Sequence, residues 1–183
     1  MSTNSEKYSP GPAAGAEVLK EGDKWTLVLV RELRHPPGKV WQALTDPAHL
    51  AEWAPFDADR SLGAVGTVKL TTIGAPTPTV SDSAVKRAEA PTLLEYSWGG
   101  GDLRWELEPV GAGTRLKLSH NINRGYIAWG AAGWHICFDV LDRLLAGEPI
   151  GRRVGPETMK LEGWQRLSDE YATQFGVKNP SWS

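Results

Sequence analysis

Several features are scarce or missing in this 183-residue sequence, and each absence removes a class of function. Cysteine occurs once, at Cys137, so an intramolecular disulfide is impossible and paired-thiol zinc or redox motifs are excluded. No uninterrupted apolar run approaches the ~20 residues that a membrane-crossing helix needs. Residues 1–22 contain no basic stretch followed by an apolar core, which is the pattern of a secretory signal. Basic residues number 20 against 22 acidic ones, and neither sign clusters. A surface that tracks nucleic-acid phosphates needs such a cluster, so nucleic acid is not an expected partner. The GxSxG, GxGxxG and GxxxxGK[ST] patterns are also missing, leaving elbow-serine acyl transfer and nucleotide binding without support. These absences predict a protein of the reducing cytoplasm, with no cofactor and no membrane partner.

Tryptophan, by contrast, is abundant. Nine tryptophans and 40% hydrophobic residues suffice for one substantial core. The expected organisation is a flexible N-terminal tail over residues 1–22, a single domain over 23–176 and a C-terminal tail over 177–183. Within the domain, residues 25–30 read as the first strand. Pro37 and Pro47 are each suited to a first helical turn, with Asp46 capping the second of two short helices. Val40, Trp41 and Leu44 then share one face, as do Leu50 and Trp53.

Residues 66–72, 79–88, 93–98, 103–108 and 114–120 read as strands, the second of them weakly patterned, and the last two alternate at the period of two of a half-buried sheet. Residues 75–78, residues 99–102 and residues 109–113 fall between them as loops or turns. Short connections favour an antiparallel meander, because parallel neighbours need long crossovers. From Gly133 the period lengthens. Trp134, Cys137, Phe138, Leu141, Leu144 and Leu145 form one helical stripe, and His135, Asp139 and Asp142 fall on the complementary face, toward water. Gly147 and Pro149 end this helix. A last helix is expected from near Pro156 to Phe175.

Three motifs together resemble one family. Val40-Trp41-Gln42-Ala43-Leu44-Thr45-Asp46-Pro47 with Trp53 resembles the VWxALTDP...W signature of the Hsp90-ATPase-activator-like (AHSA1) family of the START/SRPBCC superfamily. Leu94-Glu95-Tyr96-Ser97-Trp98 resembles its central strand, and Gly133-Trp134 followed by Leu141 resembles the start of its long helix. The resemblance implies an α+β helix-grip fold, a curved antiparallel sheet wrapped around a long C-terminal helix. It also implies uses as different as lipid or polyketide binding, cyclisation and co-chaperone work. The partners so implied are a small hydrophobic molecule or an Hsp90-type chaperone. The extra N-terminal domain of the Hsp90-activating members has no counterpart in this sequence, which weighs against the chaperone.

Candidate ligand-binding residues follow from strand and helix phase. Tyr96, Trp98 and Trp105 face the helix stripe carrying Trp134, Phe138 and Leu141, where the rings either line a cavity or interdigitate and fill it. His120 shares the inward phase of Leu116 and Leu118, as a polar anchor, as the general base that a cyclase-like enzyme would need, or as a ring bonded to backbone. Arg124, with Asn121 and Asn123, is placed to meet a ligand carboxylate if its loop roofs the cavity. Cys137 reads as core, and Glu106 and Glu108 as a solvated sheet face. No catalytic residue is assigned. No metal site is assigned either, since His135 and Asp139 lack a third donor. Trp129 and Trp182, if exposed, offer a surface for a homodimer.

Overall fold

The computed structural model describes residues 8–73, 79–98 and 101–179. The loop expected at 75–78, Gly99-Gly100 of the expected turn, and Trp182 lie outside the described residues. Eight strands form one antiparallel sheet: β1 (Ala16–Glu21), β2 (Lys24–Leu33), β3 (Phe56–Ala58), β4 (Gly66–Thr72), β5 (Thr79–Glu89), β6 (Leu93–Trp98), β7 (Gly101–Val110) and β8 (Gly113–Asn121). Their order is β1-β2-β8-β7-β6-β5-β4-β3. From β3 to β8 the chain meanders by antiparallel pairing between neighbours, as the short connections require. The sheet is curled into a half-barrel around a long helix, which is the helix-grip arrangement.

Helices α1 (Pro37–Thr45) and α2 (Pro47–Trp53) carry the chain from β2 to the far edge at β3. Pro37 and Pro47 open them, and the Asp46 side chain accepts from Ala48 N, as expected of a cap. Trp53 is buried and donates from Nε1 to Ala43 O, 2.9 Å away, which binds the two helices into one unit.

Cross-strand register sets the concave face. One row runs Tyr96, Leu103, His120, Leu27, and the next runs Leu94, Trp105, Leu118, Leu29. The convex face carries the opposite phase, where Arg104 pairs with Glu95 and Glu106 while Arg115 pairs with Glu32 and Glu108. Glu106 and Glu108 therefore belong to a solvated ionic ladder.

Helix α3 (Ile127–Leu145) packs against the concave face, and α4 (Trp164–Phe175) packs on α3. The long helix starts at Ile127, six residues before the position marked by its hydrophobic stripe. The last helix starts at Trp164, because residues 155–160 form a separate 3-10 turn and Gly163 follows with a φ of 94°.

Two expectations are corrected. Residues 16–21, read as tail, are strand β1, paired with β2 from Ala16↔Leu29 to Glu21↔Lys24. Within β1 only Ala16 is buried, so the backbone ladder, not a hydrophobic pattern, holds it. His135, read as solvent-facing, is 4% exposed. The face of α3 turned away from the sheet is covered by α4, and His135 Nδ1 lies 2.7 Å from Tyr171 Oη. Asp139 on the same face accepts from Arg31 Nη1 at 2.7 Å and from Tyr8 Oη at 2.6 Å. Residues 10–14 are tied to α4 as well, through Arg166 to Pro10 O, Ala13 N to Glu170, and Tyr171 Oη to Ala14 O.

Candidate ligand cavity

The interface between sheet and long helix divides into a filled part and an open part. In the filled part, Trp105 meets Trp53 edge-on at 5.9 Å and Phe138 at 5.9 Å, and Tyr96 meets Phe56 edge-on at 5.9 Å. Trp105 Nε1 donates to Tyr96 Oη at 3.1 Å, so each polar tip has a partner within the protein. Burial pushes the Tyr96 phenol far above its ordinary pKa, which keeps it a neutral partner.

In the open part lies a cavity of about 690 Å³. Its sheet wall comes from the ends of three strands: Trp98 on β6, Gly101 on β7 and His120 on β8. Its helix wall is the first half of α3, through Trp129, Gly130, Gly133, Trp134 and Cys137. The connection between α3 and α4 closes a third side with Val154, Met159 and, at the start of α4, Trp164. Tyr126 and Met159, 56% and 37% exposed, put apolar surface at the rim.

Glycine makes the space. A Cβ on Gly133 would meet nothing within 4 Å, so this face of α3 stops at the backbone. At Gly130 a Cβ would lie 2.5 Å from Ile122 Cδ1, so glycine lets the loop after β8 close onto the helix.

His120 is the polar group set among these rings. It stacks on Trp98 at 5.7 Å and meets the edge of Trp134 at 5.9 Å. Trp134 Nε1 donates to its Nδ1 at 3.0 Å. Burial lowers its pKa from 6.5 to about 4, so the ring is neutral at pH 7. The Cys137 thiol is pushed up to about 12 by burial and is not a nucleophile at neutral pH. Among the described residues, no Asp or Glu lines the cavity and no group of three or more potential metal ligands occurs.

Of the eight residues singled out in the sequence, the structure brings Trp98, His120 and Trp134 together on the cavity wall. Tyr96, Trp105, Phe138 and Leu141 lie in the packed core beside it, each at most 1% exposed, because Trp53 and Phe56 arrive from α2 and β3 to occupy the space they face. Arg124 is exposed and sits over the Trp25 ring at 5.6 Å, outside the cavity. Asn123 caps the 3-10 turn at 124–126. Trp129, considered for a self-association surface, is half-buried in the cavity wall. Sequence reasoning missed Gly101, Gly130, Gly133, Met159 and Trp164. The signal available was the pair Gly130 and Gly133, three residues apart in an apolar helical segment.

A family model described as "Activator of Hsp90 ATPase homolog 1-like protein" matches residues 34–146. Among solved structures, CalU16 from Micromonospora echinospora is similar over 91% of this chain and 98% of its own, with 21% identity and a TM-score of 0.62. A conserved protein of unknown function from Enterococcus faecalis is similar over 87% and 89%, with 16% identity and a TM-score of 0.64. An AHSA1-like protein from Aeromonas hydrophila is similar over 66% and 92%, with 19% identity and a TM-score of 0.53. At these identities the likeness is one of fold. No curated protein matches the sequence.

Proposed function

The chain belongs to the Activator of Hsp90 ATPase homolog 1-like family, and on that premise we propose that it binds a small, largely hydrophobic molecule in the cavity between the sheet and α3. The observation that carries this reading is an unfilled volume of about 690 Å³ walled by indole rings and rimmed by exposed apolar side chains. That volume lies within the roughly 300–1,000 Å³ of small-molecule sites, which are typically apolar with a few placed polar groups. Tryptophan walls supply large contact area with little side-chain entropy to lose on binding.

Two features favour holding a ligand over transforming it. His120 is neutral with Nδ1 already engaged, and Cys137 is a protonated thiol, so neither is poised to take a proton or attack a carbon. The charge-alternating convex sheet face favours this cavity over a broad apolar docking surface as the working part.

The test uses N-phenyl-1-naphthylamine, a neutral probe whose emission rises in apolar surroundings. Saturable binding at one site is expected, with at least a tenfold loss in Gly133→Leu, whose side chain enters the cavity. Equal binding by wild type and Gly133→Leu removes the proposal.

A further inference from the structure

This inference rests on the ligand-binding reading above and concerns which side of a hydrogen bond the ligand supplies. An indole N–H donates and never accepts, so the 3.0 Å contact from Trp134 Nε1 makes His120 Nδ1 an acceptor. A neutral imidazole with Nδ1 accepting carries its proton on Nε2. The ring is clasped by Trp98 on its face and Trp134 at its edge, so turning it over would break the bond to Trp134. Nε2 has no protein partner among the described residues. Beside it is Gly101, where a Cβ would lie 3.3 Å from Nε2 and 2.7 Å from Asn121 O. The absence of that carbon keeps Nε2 clear.

Two other side-chain acceptors along the wall are engaged within the protein. Thr72 Oγ1 accepts from Trp98 Nε1 at 3.0 Å, which leaves its hydroxyl proton to donate, and Asn123 Oδ1 accepts from Gly125 N at 2.8 Å. With no carboxylate on the wall among the described residues, the cavity offers hydrogen atoms to a ligand.

We propose that Trp134 is a positioning residue that fixes His120 as an Nε2–H donor, and that the ligand is a hydrophobic carbonyl compound whose oxygen accepts from it. The ring then selects for oxygen acceptors and performs no proton transfer. Burial keeps it uncharged throughout the neutral range.

Two measurements on the full chain test this. Nitrogen-15 NMR of the imidazole is expected to show Nε2 protonated and Nδ1 bare at pH 7, with the tautomers mixed in Trp134→Phe; a proton on Nδ1 in the wild type overturns the proposal. The second measurement titrates 2-acetylnaphthalene against 2-isopropenylnaphthalene, which match in shape and differ in the carbonyl. Both are expected to bind, the ketone roughly five- to tenfold tighter, as one net hydrogen bond allows. That preference disappears in His120→Phe and shrinks in Trp134→Phe, which serves alone if His120→Phe does not fold. Equal affinity for the two probes overturns the carbonyl inference while leaving the cavity reading intact. Failure of both to bind overturns the cavity reading, and this inference with it.

Discussion

The filled and open parts of the interface between sheet and α3 use the same side chains to opposite ends. Around Trp105, rings from α2, β6 and α3 converge on every side; around His120, Trp98 and Trp134 close on the imidazole just as tightly, but open space lies beyond them. Aromatic content does not decide the difference, since Trp98 and Trp134 are as bulky as Trp53 and Trp105. What differs is the surface opposite them. Trp53 and Phe56 are delivered against Trp105 and Tyr96 by the α1–α2 unit and the strand after it, Phe56 also backing Trp98, whereas Gly101 and Gly133 line the open side. A cavity in this fold is thus a local withdrawal of side chains from a core that is otherwise complete.

The contrast predicts graded effects. Trp105→Ala should be the most damaging change, costing about 3–5 kcal/mol by cavity formation and loss of the Tyr96 partner, read from urea denaturation. Acid comes next. The folded His120 pKa of about 4 lies below the ordinary 6.5, so between those values the unfolded chain takes up a proton that the folded ring refuses. Stability is therefore complete above pH 6.5 and falls as pH drops toward 4, by at most about 3 kcal/mol. His135, also lowered mainly by burial, adds to the same slope. Denaturation midpoints across pH 4–7 should flatten in His120→Gln to the share left by His135.

Gly133→Leu should separate the two regions most cleanly. It replaces glycine inside a helix and fills open space, so stability should rise by about 0.5–1 kcal/mol while probe binding is lost. A destabilised Gly133→Leu protein would show that the open part is packed in solution. The smallest effect is expected on the convex face, where Arg104→Ala should change stability by less than about 1 kcal/mol, because exposed pairs are screened by water and salt.

The sequence made the architecture legible wherever a local rule decided the outcome. Proline with an aspartate cap marked the hinge of α1 and α2, and alternation marked β7 and β8. It failed where tertiary partners decide. Residues 16–21 alternate poorly and bury little, so only pairing with β2 makes them a strand. The expectation of a solvent-facing His135 fails because a single apolar stripe implies a single buried face. Ala128, Ala132, Ile136 and Val140 supply a second set of buried positions on α3, enough to signal a helix covered on more than one side. Of the candidate site, phase alone located Trp98, His120 and Trp134. It could not separate them from Tyr96, Trp105, Phe138 and Leu141, because which inward ring is opposed by another depends on chain from α2 and β3 that periodicity does not position. Met159 and Trp164 entered from an irregular connection that has no period to read.

The bonds that tie residues 8–14 to α3 and α4 bear on how the chain can be shortened. A version trimmed to the matched span of residues 34–146 loses two partners of Asp139, Arg31 and Tyr8, together with all of α4. His135 and the apolar back of the long helix would then meet water. A fragment that keeps these contacts extends at both ends beyond the region by which the family is recognised, with Tyr8 near one limit and Phe175 near the other.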